Sequence, residues 1–274
     1  MKLLFSLYLS IASLLALEVG NGKSILIPTT AAIGYIQEGN STFPLLPHPL
    51  SLTQGFAIVP IDYYTHPTLD TLTWVTSDDN LSIELNIINA PYPIEVLTVD
   101  NSKVSPPTEV LQRIAEEKAE AEKIYNTITS ARYWNKPFIR PLDSNTTSEY
   151  GSARTYNGTL KSYHGGVDFR ARTPLPILAT NAGVVVLAKD RYYAGGTVII
   201  DHGEGLYSCY FHMSRFDVKV GDRIERAQTI GLTGATGRIT GPHLHFGIMI
   251  YGVQTDPIDL LTQINKLFDP NRVF

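Results

Sequence analysis

The sequence predicts a mainly β protein: a small N-terminal β-sandwich-like domain, one linking helix and a C-terminal antiparallel β domain. Three observations carry this. Residues 17–104 alternate apolar and polar positions between turn residues, one stretch switches to helical spacing, and from about residue 137 short apolar runs recur with glycine at the breaks. The 274 residues, 43% hydrophobic and 18% charged, are enough for two domains with their own cores. A net charge of −4, with 22 scattered Lys and Arg outnumbered by 26 Asp and Glu, argues against a nucleic-acid partner, which would need a basic stripe. A monomer is expected.

Taken in order, the chain opens with MKLLFSLYLSIASLLALEVGNG, where Lys2 precedes an apolar run from Leu3 to Leu17. That run is too short for a spanning anchor and reads as a signal peptide over 1–16, cut after Ala16, so the chain is expected to be exported. Leu14 is larger than the residue usual three places before a cut. The alternative is therefore an uncleaved leader that tethers the protein to a membrane. The single cysteine, Cys209, excludes an internal disulfide framework and reads as a small buried hydrophobe rather than a thiolate ligand.

In the 17–104 domain, "LSIELNII" places Leu81, Ile83, Leu85 and Ile87 on one face, and "FAIVPIDYY" reads as a second strand. His48 in "LPHPL" and His66 in "THPTL" read as surface loop residues without chemistry. The 105–136 segment is a helix and linker. Ser105 is the expected N-cap, with Pro106 at the first helical position, and Val110, Leu111, Ile114, Ala121, Ile124 and Ile128 form an apolar stripe over about 106–129. The charged run from Glu116 to Lys123 reads as its solvated face. The C-terminal domain covers 137–265 as strands such as "GVVVLA", "GTVIID" and "LHFGIMIYG", and 266–274 is a tail.

The chemistry concentrates in that last domain. In "YHGGVDF", His164 and Asp168 lie four apart and share a face, and in "GPHLHF", His243 and His245 share a strand face while Leu244 takes the other. A lone His-x-x-x-Asp is a weak signal. Together the clusters supply two imidazoles and a carboxylate, a good Zn²⁺ set, and leave one histidine of the pair free to move a proton. His202, in the turn of "IIDHGEG", reads as scaffold. Tyr192 and Tyr193 could line a groove or simply be exposed.

Three ordered segments carry a family resemblance: "YHGGVDF", "VIIDHGEGLYSCYFHMS" and "VGDRIERAQTIGLTGATGRITGPHLHF". Residues 148–261 resemble the lysostaphin-like (LytM-type) zinc metallopeptidases, which cut cell-wall peptides. The resemblance implies one zinc ion held by His164, Asp168 and His245, with His212 and His243 as the catalytic imidazoles. Two positions depart from the family pattern. Ala227 stands where glycine commonly precedes Gln228, and Arg154 falls one residue late for the usual Gly-x-Arg. The implied activity is a peptidoglycan D,D-endopeptidase, with D,D-carboxypeptidase trimming as a second capacity, acting on peptidoglycan peptides in cell-wall remodelling and cell shape. The alternative is a non-catalytic LytM-type module that binds peptidoglycan or activates an amidase. Three acidic sequons, at Asn40, Asn80 and Asn145, resemble an acceptor used in some bacterial periplasms and point weakly to a Gram-negative periplasmic address.

Overall fold

The run GFAIVP forms strand Gly55–Pro60, buried along its whole length. Because successive strand residues point to opposite faces, it serves two cores. Ala57 and Val59 pack with Ile36, Phe43, Leu72, Leu85 and Ile87. Phe56 and Ile58 join Trp134, Phe138, Leu260 and Ile264 in a core that continues through the C-terminal sheet. The computed structural model describes residues 17–31, 33–76, 80–99, 101–158, 160–172 and 174–270, and is mainly β. The leader expected over 1–16 lies outside the described residues.

The N-terminal core sits between two sheets. One is five-stranded, in the order Leu17–Gly20, Asn80–Ile88, Thr68–Val75, Tyr35–Glu38, Ser41–Pro44. The other joins Ser24–Thr29, Gly55–Pro60 and Leu46–Pro47. The alternation in "LSIELNII" is used at one end only: Leu85 and Ile87 are buried, whereas Leu81 emerges into solvent.

Helix α1 (Thr108–Tyr125) begins later than Ser105 and Pro106 predict. Pro107 disfavours a helical conformation at Pro106, and Pro107 itself is extended (φ −62°, ψ 152°), so the helix starts only beyond the proline pair. Its charged run is not uniformly solvated. Glu117 accepts from Arg113 Nε (2.7 Å) and from the Tyr192 backbone N–H (2.9 Å), and Glu120 accepts from Lys189 (2.8 Å). These contacts, with Ile124 and Tyr125 against Leu187, Ile199, Tyr207 and Cys209, lay the helix across the outer face of the C-terminal sheet.

That sheet runs Thr146–Ser148, Val167–Arg170, His243–Ile250, Leu206–Phe216, Gly195–Asp201, Gly183–Arg191, Arg223–Ile224, antiparallel throughout. A second helix, α2 (Pro257–Lys266), lies inside the stretch that reads as strands. Its signal is present in "DPIDLLTQI": Asp256 caps the Ile258 and Asp259 N–H groups, Pro257 opens the first turn, and Leu260, Leu261 and Ile264 are buried. Gln263 fastens this helix to Ser24 and Leu26 of the N-terminal sheet.

Strand Ile94–Leu97 pairs parallel with Ala153–Tyr156, which in turn pairs antiparallel with Leu160–Tyr163. It is the last strand before α1, and it brings Glu95 beside the histidine cluster.

Candidate active site

Strand His243–Ile250 lies between Val167–Arg170 and Leu206–Phe216, in a register that sets Asp168 and Phe211 on either side of His245. Alternation then divides the strand. Leu244 and Phe246 are fully buried in the core with Phe169 and Tyr210, while His243 and His245 turn to the other face. His164 enters from the turn after Leu160–Tyr163, over Gly165 and Gly166. A Cβ at Gly166 would meet His245 Nε2 at 2.7 Å and press on the Phe246 carbonyl oxygen, so only glycine permits this approach.

Three side-chain atoms converge there. His164 Nε2 lies 2.8 Å from Asp168 Oδ1 and 2.9 Å from His245 Nδ1, and His245 Nδ1 lies 2.9 Å from the same carboxylate oxygen. All three residues are buried. His164 Nδ1 donates to the Glu149 carbonyl at 2.8 Å, which turns Nε2 towards Asp168 and His245. The donor set of two imidazoles and a carboxylate fits a divalent metal. Burial alone would raise the Asp168 carboxyl, but its bonds to His164 and His245 hold it well below the usual carboxylate range. Burial pushes His245 down to about 4 against the pull of Asp168.

His212 and His243 stand beside this cluster with ring centroids 4.8 Å apart. His212 has φ +63° at a break in the register of Leu206–Phe216, a β-bulge that departs from strand alternation and re-aims the side chain towards His243. Each ring donates from Nδ1 to a carbonyl, His212 to Thr236 (2.8 Å) and His243 to Gly241 (2.7 Å). Each therefore keeps a lone pair on Nε2, and that of His243 is 3.6 Å from Asp168 Oδ1. Burial, reinforced by His243 and His245, pushes His212 down to about 3.

Behind the cluster is a network that the sequence reading missed. Arg154 donates from Nη2 to Asp168 Oδ2 (3.1 Å) and to Ser148 Oγ (2.8 Å), and from Nε to Glu95 Oε2 (2.8 Å). The extra residue before Arg154 is thus absorbed without loss of its contact to Asp168. Ser148 Oγ also donates to Glu95 Oε1 (2.7 Å) and lies 3.1 Å from His164 Nδ1. No spacing rule links Glu95 to a site more than fifty residues away in the chain.

The remaining histidines and Cys209 lie apart from the cluster. His202 is buried between the Ala182 carbonyl and Ser208 Oγ, each at 2.7 Å, as scaffold. His48 is buried rather than on the surface: its Nδ1 accepts from the Leu50 N–H (3.1 Å), and burial, aided by Arg132, lowers its pKa. His66 is exposed. Cys209 is buried against Tyr125, and burial pushes its thiol up to about 12. Tyr192 bonds the Ser102 carbonyl, while Tyr193 packs against Arg238 at the edge of the cavity.

Residues 162–257, which contain His164, Asp168, His212, His243 and His245, match peptidase family M23. This part of the chain is an M23 peptidase domain. M23 is a metallopeptidase family, so a metal is implied at the His164–Asp168–His245 cluster. The chain is similar to the peptidoglycan DD-endopeptidase ShyA of Vibrio cholerae, 38% identical over 115 residues, which are 41% of this chain and 27% of ShyA. It is also similar to the DD-carboxypeptidase/endopeptidase Mpg of Neisseria meningitidis, 34% identical over 109 residues, covering 38% of this chain and 25% of Mpg. The matches thus span only about a quarter of each of these relatives. A solved Pseudomonas aeruginosa structure assigned to peptidase M23 superposes with a TM-score of 0.70 at 25% identity, over 88% of this chain and 94% of that one. That likeness extends beyond the M23 domain into the N-terminal sheets.

Proposed function

We propose that the protein is a zinc-dependent peptidoglycan hydrolase, a D,D-endopeptidase with D,D-carboxypeptidase trimming as a second capacity, exported to the periplasm for cell-wall remodelling and cell shape. The observation that carries this reading is the pairing of a buried His164–Asp168–His245 cluster with two further imidazoles, each holding a free Nε2. A storage site would need the first three residues only. The activities named for ShyA and Mpg support the substrate class.

In this reading His164, Asp168 and His245 hold the metal. Zn²⁺, when bound, would supply a Lewis acid that acidifies water and polarises the scissile carbonyl. One of His212 and His243 accepts the proton of the attacking water at Nε2, and the pair stabilises the developing oxyanion and returns that proton to the leaving amine. His212 is suited to begin as a base, since burial keeps it neutral at physiological pH. Arg154 neutralises the outer oxygen of Asp168 and fixes its orientation.

Zymography on purified cell wall with and without chelator tests the proposal, with mass spectrometry of the released muropeptides to identify the bond cut. Lysis that survives chelation would sink it. A metal-loaded protein that binds wall and releases nothing would support the non-catalytic module instead.

A further inference from the structure

Two arginines line the cavity of about 230 Å³ that opens onto His212, His243 and His245, and their surroundings differ. Arg154 is saturated by Glu95, Ser148 and Asp168. Arg238 has no hydrogen-bond acceptor for its guanidinium among the described residues. Its Cζ instead lies over the rings of Tyr156 and Tyr193, 4.7 Å from each centroid. Cation–π stacking engages the faces of the guanidinium and leaves its in-plane N–H donors uncommitted.

The segment that carries Arg238 is also held in place. Its backbone N–H donates to the Tyr193 carbonyl (2.8 Å). Thr236 Oγ1 accepts from the Gly196 N–H (2.8 Å) and donates to the Met213 carbonyl (3.0 Å), and the Thr236 carbonyl receives the His212 Nδ1–H. Gly237, at φ +79°, passes so close to Gly195 and Tyr193 that a Cβ would collide with their backbone. The guanidinium is thus presented by the same short segment that orients one of the two imidazoles. Glu95 and Asp168, the acidic residues of the cavity lining, both pair with Arg154, and neither forms an ion pair with Arg238.

Resting on the hydrolase reading, we propose that Arg238 is a specificity-determining residue that binds a free carboxylate of the peptide substrate beside the scissile amide. A planar fork with unused donors matches a carboxylate in a bidentate manner, and tyrosine stacking pre-organises it. In a cell-wall stem peptide that carboxylate comes either from the C-terminal residue or from the side chain of a diamino diacid.

The test uses the full chain loaded with zinc and three synthetic cross-linked stem peptides: one with both carboxylates free, one amidated at the C-terminus and one amidated on the side chain. Equilibrium binding is measured by calorimetry on the His243→Ala background, and kcat and KM on the catalytic background. Amidation of the recognised carboxylate should weaken binding and raise KM about ten- to a hundredfold, and which amide does so identifies the source. Arg238→Gln should erase that discrimination, and Arg238→Lys, which keeps charge without the fork, should retain part of it. A Gln variant that discriminates as well as the parent overturns the proposal. So does equal weakening on all three peptides by both variants, which is the signature of a merely structural clamp. If no peptide is cut, the hydrolase reading fails, and the binding series still decides Arg238.

Discussion

His243 and His245 leave one strand on one face, yet they meet different surroundings. His245 is sealed between Asp168 and Phe211, whose ring stacks on it at 5.1 Å and 7°, and it closes the cluster with His164. His243 sits one pleat nearer the open end, anchored through Gly241 and facing His212. Shared direction on a strand therefore sets which cavity a residue enters, and its neighbours across the ladder set what it can do there.

The sharpest way to break this contrast is to remove one member of each kind. Asp168→Ala and His245→Ala are expected to lose both metal and turnover, because two donors do not hold a divalent ion at a catalytic site. His243→Ala should keep a full equivalent of metal and lose about 10²- to 10⁴-fold in kcat, the range for removing a general acid–base group. Metal analysis alongside kinetics checks both, and a metal-free His243→Ala protein would contradict the division of roles.

A second comparison sets the cluster against its support. Glu95 touches the cluster only indirectly, through Arg154 and Ser148, so Glu95→Gln should leave the fold intact and weaken metal affinity about 10- to 100-fold, the usual cost of disturbing an outer partner. Competition with a chromogenic chelator measures it. Affinity equal to the parent would show that Arg154 is held adequately by Ser148 and Asp168 alone.

Acidification compares buried histidines inside and outside the site. His202 titrates near 4 because burial disfavours its charged form, whereas in the unfolded chain it titrates near its ordinary 6.5. The unfolded state therefore binds more protons between these values. The stability that His202 contributes is complete above pH 6.5 and lost as pH falls towards 4, on the order of 3 kcal/mol. His212 and His245 shift the same way, so the metal-free protein should lose urea resistance steeply across that window. His202→Asn should flatten the slope without touching metal content.

The smallest expected effect concerns Ala227, at φ +67°, a backbone conformation that favours glycine. A left-handed alanine is strained by about 1 kcal/mol, so Ala227→Gly should raise the melting temperature by roughly 2–4 °C. A lower melting temperature would show that the added backbone freedom outweighs the relieved strain.

Much of this was legible in the chain. Strand alternation sent Leu244 and Phe246 to the core and both histidines of "GPHLHF" to one cavity, and the ordered motifs named His164, Asp168 and His212 as their companions. Glycine spacing marked most strand breaks, since glycine is where close approach and positive φ are tolerated. Other features depended on atoms distant in sequence. Pro107 moved the start of α1, and helix docking turned Glu117 and Glu120 from solvated charges into contacts with the sheet. The turn closed by the His48 N–H on the Gln54 carbonyl and by the Leu50 N–H on His48 Nδ1 accompanies the burial of His48. Glu95, Arg154, Tyr156, Tyr193 and Arg238 carry no shared periodicity. They became one wall of the site only when strand Ile94–Leu97 paired with Ala153–Tyr156 and the 236–238 segment folded back on Gly195. Periodicity and motif record what a residue does within its own element. Which elements meet is decided by burial and hydrogen-bond pairing across the whole chain.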